Sequence, residues 1–120
     1  MPQNNLVCHV NLARGFRGGE RQTGLLMQGL AQHDLKQRLI ARRGEALAGH
    51  VADLAGLDLR QSGASPLSVL RHSSGAALLH VHEGRSVHAA NLCHIVRKTP
   101  YVITRRVDNA IKRNAATRLA

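Results

Sequence analysis

The run LVCHVNL (residues 6–12) passes through Ala13 into RGFRGGERQ (14–22), and the reading of this join decides the fold. LVCHVNL is a continuous apolar stretch of strand length. From Gly19 to about Gln32, Leu26, Leu30 and Ala31 return at helical spacing, with Leu25 and Met27 widening the stripe. A strand that ends in a glycine turn and continues as a helix opens a βα unit. The turn is crowded with charge: Arg14, Arg17 and Arg21 surround Gly18, Gly19 and a single acid, Glu20. Such a cluster repels itself unless an anion or a particular geometry occupies it.

The alternation continues along the chain. QRLIAR (37–42) predicts a second strand, and Leu47, Val51, Leu54 and Ala55 predict a helix over 45–56. LDLRQ (57–61) is a third strand supported by few apolar residues. Ser65-Pro66 supplies an N-cap and a first-turn proline for a short helix through Leu67 and Leu70. AALLHVH (76–82) is a fourth strand; Ala89, Leu92, Cys93 and Val96 mark a helix stopped by Pro100; YVITR (101–105) is a fifth strand, and 108–118 is a basic segment. Strand runs with little polar alternation belong to a sheet covered on both faces. With right-handed crossovers, the expectation is a single α/β domain over 1–120, a Rossmann-like, doubly wound parallel sheet of about five strands.

Composition narrows the partners. The formal charge is +10, with 17 Lys plus Arg against 7 Asp plus Glu, so an anionic partner is implied: a phosphorylated small molecule, nucleic acid or a membrane surface. Aromatics are limited to Phe16 and Tyr101, too few for the stacking platforms of single-strand binders. Cys8 and Cys93 sit far apart in apolar surroundings and predict two buried thiols in a reduced, cytoplasmic protein. No basic leader precedes an apolar run, and no run reaches the length of a membrane span.

Three stretches fall at the carboxyl ends of the predicted strands, where ligands of open α/β sheets gather. In the first, Gly18 and Gly19 allow close approach of a ligand to the backbone, the helix start offers N–H groups to an anion, and Arg17 adds a charge-assisted contact. No G-K-[ST] closes this turn and it lacks G-x-G-x-x-G, so a tight turn with a solvated arginine fringe is the competing reading. In the second, LLHVHEG (78–84), His80 and His82 share one face of the strand and Glu83 follows at its end. His88 and His94 stand six apart on a helix and cannot complete a metal set with them, so no metal is expected; His80 is expected inside the sheet and His82 at the mouth. In the third, Arg105 and Arg106 leave the fifth strand at the same rim.

Together GFRGGERQ, LLHVHEG and TRRVDNAIKRN resemble, in order and interval, the amino-terminal domain of GT-B glycosyltransferases, in particular the retaining bacterial group (group 1, family 4 type) that uses nucleotide-sugar donors. The resemblance implies the acceptor half of a two-domain enzyme, acting in lipopolysaccharide or other surface-glycan synthesis. Its partners would be a nucleotide-sugar donor, a glycan or lipid-linked acceptor and a carboxyl-terminal domain outside these residues, with no further cofactor. It implies donor contacts for Gly18 and Gly19, a catalytic contact from His82 to the transferred sugar, and rim positions for Glu20, Glu83, Arg105 and Arg106. A cytoplasmic protein resting on the inner face of the membrane would suit the basic surface, and 1–120 alone would be inactive. The rival reading is a stand-alone basic α/β module for nucleic acid or another polyanion; it rests on charge alone, and nucleic acid ranks below the sugar donor.

Overall fold

The computed structural model describes residues 5–15, 18–33 and 35–104. Among these residues five strands alternate with four helices: β1 Leu6–Asn11, α1 Gly18–Leu30, β2 Lys36–Arg42, α2 Ala46–Val51, β3 Asp58–Ser62, α3 Pro66–His72, β4 Leu78–Val81, α4 Val87–Arg97 and β5 Tyr101–Ile103. A single 3-10 turn, Gly84–Ser86, leads into α4. All strand pairs are parallel and the sheet order is β3-β2-β1-β4-β5. This is the Rossmann-like, doubly wound arrangement expected from the apolar runs.

The order follows from handedness. Right-handed crossovers that build outward from β1 to β3 put α1 and α2 on one face; the return to β4 and on to β5 puts α3 and α4 on the other. Side chains of β1 alternate between the two. Cys8, Val10 and Leu12 join Ile40, Leu79 and Val81 against Val69 of α3 and Ala89, Ala90 and Cys93 of α4. On the opposite face Leu39 and Ala41 pack with Met27 of α1 and with Leu47, Ala48 and Val51 of α2.

Local signals held at several ends. Ser65 Oγ accepts from Leu67 N–H at 3.3 Å ahead of Pro66, the cap read from the sequence. α4 ends at Lys98, whose left-handed backbone (φ 58°) lets its N–H donate to His94 O at 2.8 Å before Pro100. Three expectations shift. The helix predicted over 45–56 is only Ala46–Val51, because turns at Leu54 and Leu57 and a positive φ at Gly56 end it early. Val96 is exposed, since the inward face of α4 is made of the small residues Ala89, Ala90 and Cys93, which let the helix sit close on the sheet. Leu25 is likewise exposed, and α1 turns Thr23, Gly24 and Met27 inward instead.

Both cysteines are free and fully buried. Burial pushes the Cys8 thiol up to about 12, so it stays protonated and is no nucleophile. Among the described residues no helix is long and apolar enough to cross a membrane.

Candidate functional site

Because β1 lies beside β4, the turn that leaves β1 and the turn that leaves β4 meet at the carboxyl edge of the sheet. This is where the strand order reverses direction, the place at which open α/β sheets form a crevice. Two contacts fasten the turns together. His82 N–H donates to Val10 O at 3.0 Å, and Leu12 N–H donates to Glu83 Oε1 at 3.2 Å. Glu83 Oε1 also accepts from Ser86 Oγ, so this carboxylate ties the end of β1 to the start of the 3-10 turn.

The glycine turn is shaped by residues on three elements. Asn11, buried at the end of β1, accepts from Ala13 N–H at 3.1 Å through Oδ1 and donates through Nδ2 to Thr23 Oγ1 at 3.0 Å. Thr23 Oγ1 in turn donates to Gly19 O at 3.0 Å, drawing the first turn of α1 onto the strand end. Gly15 N–H donates to Glu45 Oε1 at 2.5 Å, and Arg42 Nη1 reaches Leu12 O at 3.4 Å. Arg14 is exposed on this rim. Glu20 is buried in the first turn of α1, where the helix N-terminus favours a carboxylate.

Only Gly15 in this turn needs glycine's conformational freedom, with φ at +79°. Gly18 and Gly19 open α1 without a positive φ, and a Cβ on either would meet nothing within 4 Å. The fold therefore does not require glycine at 18 or 19, although glycine in a helix costs about 0.5–1 kcal/mol relative to alanine. Gly19→Ala should raise the unfolding free energy by up to about 1 kcal/mol, whereas Gly15→Ala should lower it by about 1–2 kcal/mol, both read from urea denaturation. A lowered stability for Gly19→Ala would mean that the backbone, not a ligand's approach, holds glycine there.

Behind the turn lies a cluster of imidazoles. His9 of β1 is in register with His80 of β4, and His82 follows two residues on, so the three rings share one face of adjacent strands. His80 and His82 stack with centroids 4.0 Å apart, and His9 lies 5.6 Å from the first and 5.1 Å from the second. Gln37 Nε2 donates to Met27 O at 2.9 Å, which turns Gln37 Oε1 toward His9 Nε2 at 2.8 Å. His9 Nε2 therefore carries the proton, and its Nδ1 accepts from His82 Nε2–H across 2.9 Å. Burial is the main force that lowers the His9 imidazole to about 4; the Gln37 hydrogen bond opposes it and His80 adds to it. His9 is thus neutral at physiological pH.

The expected exposures of the two β4 histidines are reversed. His82 is 4 % exposed, whereas His80 is half-buried and meets Thr104 Oγ1 through Nε2. The difference comes from the sheet: His82 sits against His9 of central β1, while His80 borders the short edge strand β5. Gly18, Gly19, Glu20, His82 and Glu83 all lie at the β1–β4 edge; Arg17, Arg105 and Arg106 lie outside the described residues. Sequence reading missed His9, Asn11, Gln37 and Arg42. His9 and Asn11 share a parity on β1 opposite to that of Cys8 and Val10, and the neighbouring β4 carries His80 and His82 at matching parity. That pairing becomes visible once β1 and β4 are taken as adjacent.

No family model, curated protein or solved structure gives a significant match to this chain.

Proposed function

We propose that this chain is the amino-terminal, acceptor-side domain of a GT-B-type glycosyltransferase that moves a sugar from a nucleotide-sugar donor to a glycan or lipid-linked acceptor. The observation that carries the reading is the meeting of the Gly18–Gly19 helix start with the His82-Glu83 turn at the point where the strand order reverses. Transfer from a nucleoside diphosphate needs charge on the departing diphosphate stabilised and the sugar held in position. N–H groups at the start of α1, unobstructed by side chains at Gly18 and Gly19, suit the first task. Arg14 and Arg42 add positive charge beside them. The His82-Glu83 turn suits the second: Glu83 positions the loop, and a hydrogen bond from the His82 ring to a sugar hydroxyl requires this buried ring to turn out of its contact with His9. On this reading Arg17, Arg105 and Arg106 line the rim, the nucleotide is gripped by a second domain, and the 120-residue chain alone transfers no sugar. A peripheral seat on an anionic, inner-face membrane fits the net charge of +10.

The test is a titration of the isotope-labelled chain with UDP-glucose and UDP-N-acetylglucosamine, followed by amide chemical shifts. The reading expects shifts confined to Ala13–Glu20 and His82–Ser86, weakened by Gly19→Trp while the remaining spectrum is unchanged. Shifts centred on α3 and α4 or on the β3 edge, or an equal response to any salt of the same charge, would remove the turn from a donor site.

A further inference from the structure

We infer that His9, His80 and His82 form a binding site for a divalent first-row transition metal of the Zn²⁺ and Co²⁺ class, with Gln37 orienting the first ligand. The inference goes beyond the transferase reading and does not rest on it. One ring nitrogen from each histidine lies within 4.8 Å of the other two. Zinc held at ordinary Zn–N lengths in a tetrahedron separates its ligand nitrogens by roughly 3.4 Å. The His9–His82 pair, now 2.9 Å apart, has to open slightly, and the widest pair has to close by up to roughly 1.4 Å, a small rotation of one ring.

The donor set selects the ion. Three imidazoles with no carboxylate among them suit Zn²⁺, Co²⁺, Ni²⁺ or Cu²⁺ and give Mg²⁺ or Ca²⁺ no oxygen cage. Three protein ligands leave the fourth tetrahedral position to water or another small donor.

The surroundings are those of an oriented ligand. The chain from Met27 O through the Gln37 amide to His9 Nε2–H fixes the tautomer, so that His9 Nδ1 presents its lone pair toward His82. Metal-bound imidazoles are held in this way by an acceptor on the far nitrogen. His80 has a hydroxyl partner in Thr104 Oγ1. In the absence of metal, the His82 Nε2–H bond occupies that lone pair, and the same three rings form a hydrogen-bonded cluster. Binding replaces that bond: the His82 proton shifts from Nε2 to Nδ1, which frees the Nε2 lone pair for the ion and leaves the ring neutral.

Such an ion would sit behind the glycine turn, within the β1–β4 seam, where it would clamp the two strands rather than touch a diphosphate. The resemblance to metal-free transferases does not anticipate it, and neither do the positions of His88 and His94.

The test uses the 120-residue chain stripped with a chelator and titrated with Co²⁺. The expected result is a 1:1 complex with the intense visible bands of tetrahedral cobalt, abolished by stoichiometric Zn²⁺. Gln37→Leu should weaken binding about 10- to 100-fold, the usual effect of losing an orienting partner. His82→Gln and His80→Gln should abolish the bands while circular dichroism shows a folded chain; His80, half-buried, is the safer replacement if the buried position is not tolerated. Absence of a tetrahedral 1:1 complex at about 100 μM Co²⁺ overturns the site, that concentration lying far above the dissociation constant of a built three-histidine centre. Bands that persist in folded His80→Gln overturn it as well, since they belong to surface histidines such as His33, His50 or His88.

Discussion

Lowering the pH from 7 to 4 should destabilise the metal-free chain by about 3 kcal/mol through His9 alone. Its imidazole falls from 6.5 to about 4 in the folded chain, chiefly because burial penalises the charged ring. Above pH 6.5 the ring is neutral in both states and contributes no pH dependence. Between pH 6.5 and 4 the unfolded chain takes up a proton that the folded chain refuses, so stability falls as the pH falls, and below 4 the loss levels off. His72 acts in the same direction, lowered first by burial and then by repulsion from Arg60, Arg71, Arg38 and Arg43. Asp58 enters only at more acid pH: burial opposes its ionisation, but hydrogen bonds from Arg38 and Arg60 hold its carboxyl below the usual range. Urea midpoints from pH 7.5 to 3.5 check the prediction, and His9→Gln should flatten most of the slope between 6.5 and 4. A slope unchanged in that variant would place the acid sensitivity elsewhere.

Replacing Leu79 by alanine should cost about 2–5 kcal/mol. Leu79 is fully buried on β4, between β1 and β5 and under α4, in the cluster that holds Cys8, Val10 and Val81. The neighbours are strand residues fixed by ladders on both sides, so the space cannot collapse and the cavity term adds to the lost burial. Leu67→Ala is the control: the side chain on α3 is 68 % exposed, and its loss should change stability by less than about 0.5 kcal/mol. The difference between the two variants, read from thermal or denaturant unfolding, measures the core and not leucine content. Similar losses for both would contradict this layering.

How far the sequence carried depended on the kind of signal. Apolar runs such as LVCHVNL and QRLIAR identified buried parallel strands because a strand covered on both faces has no room for polar alternation. Chain order plus the handedness of crossovers then gave the sheet. Helix lengths were less legible. The spacing of Leu47, Val51 and Leu54 continues past the point where Gly56 and two successive turns break the helix, and periodicity does not register backbone geometry. The glycine turn and HVHEG were legible as site candidates because they stand at strand ends, a matter of position. The imidazole cluster was not, for His9 lies inside an apolar run and only acquires meaning from histidines more than seventy positions away; the register His9↔His80 is a tertiary fact. Asn11 and Gln37 were hidden for the same reason: each is a polar residue in a strand whose partner comes from another element.

The central place of β1 has a consequence for how the chain is made. β1 is synthesised first and finds β2 soon after, since Val7 pairs with Gln37. Its other edge waits for β4, where Val7 pairs with Leu78. At translation speeds of about 5–20 residues per second, the roughly 70 residues between them take on the order of 4–14 s to emerge. During that interval the central strand of the finished sheet is an open edge on a nascent chain, with unpaired amides along Val7–Val10. Codon choice and chaperone occupancy over residues 12–77 are therefore expected to govern the yield of folded protein more strongly than the same changes downstream of β4.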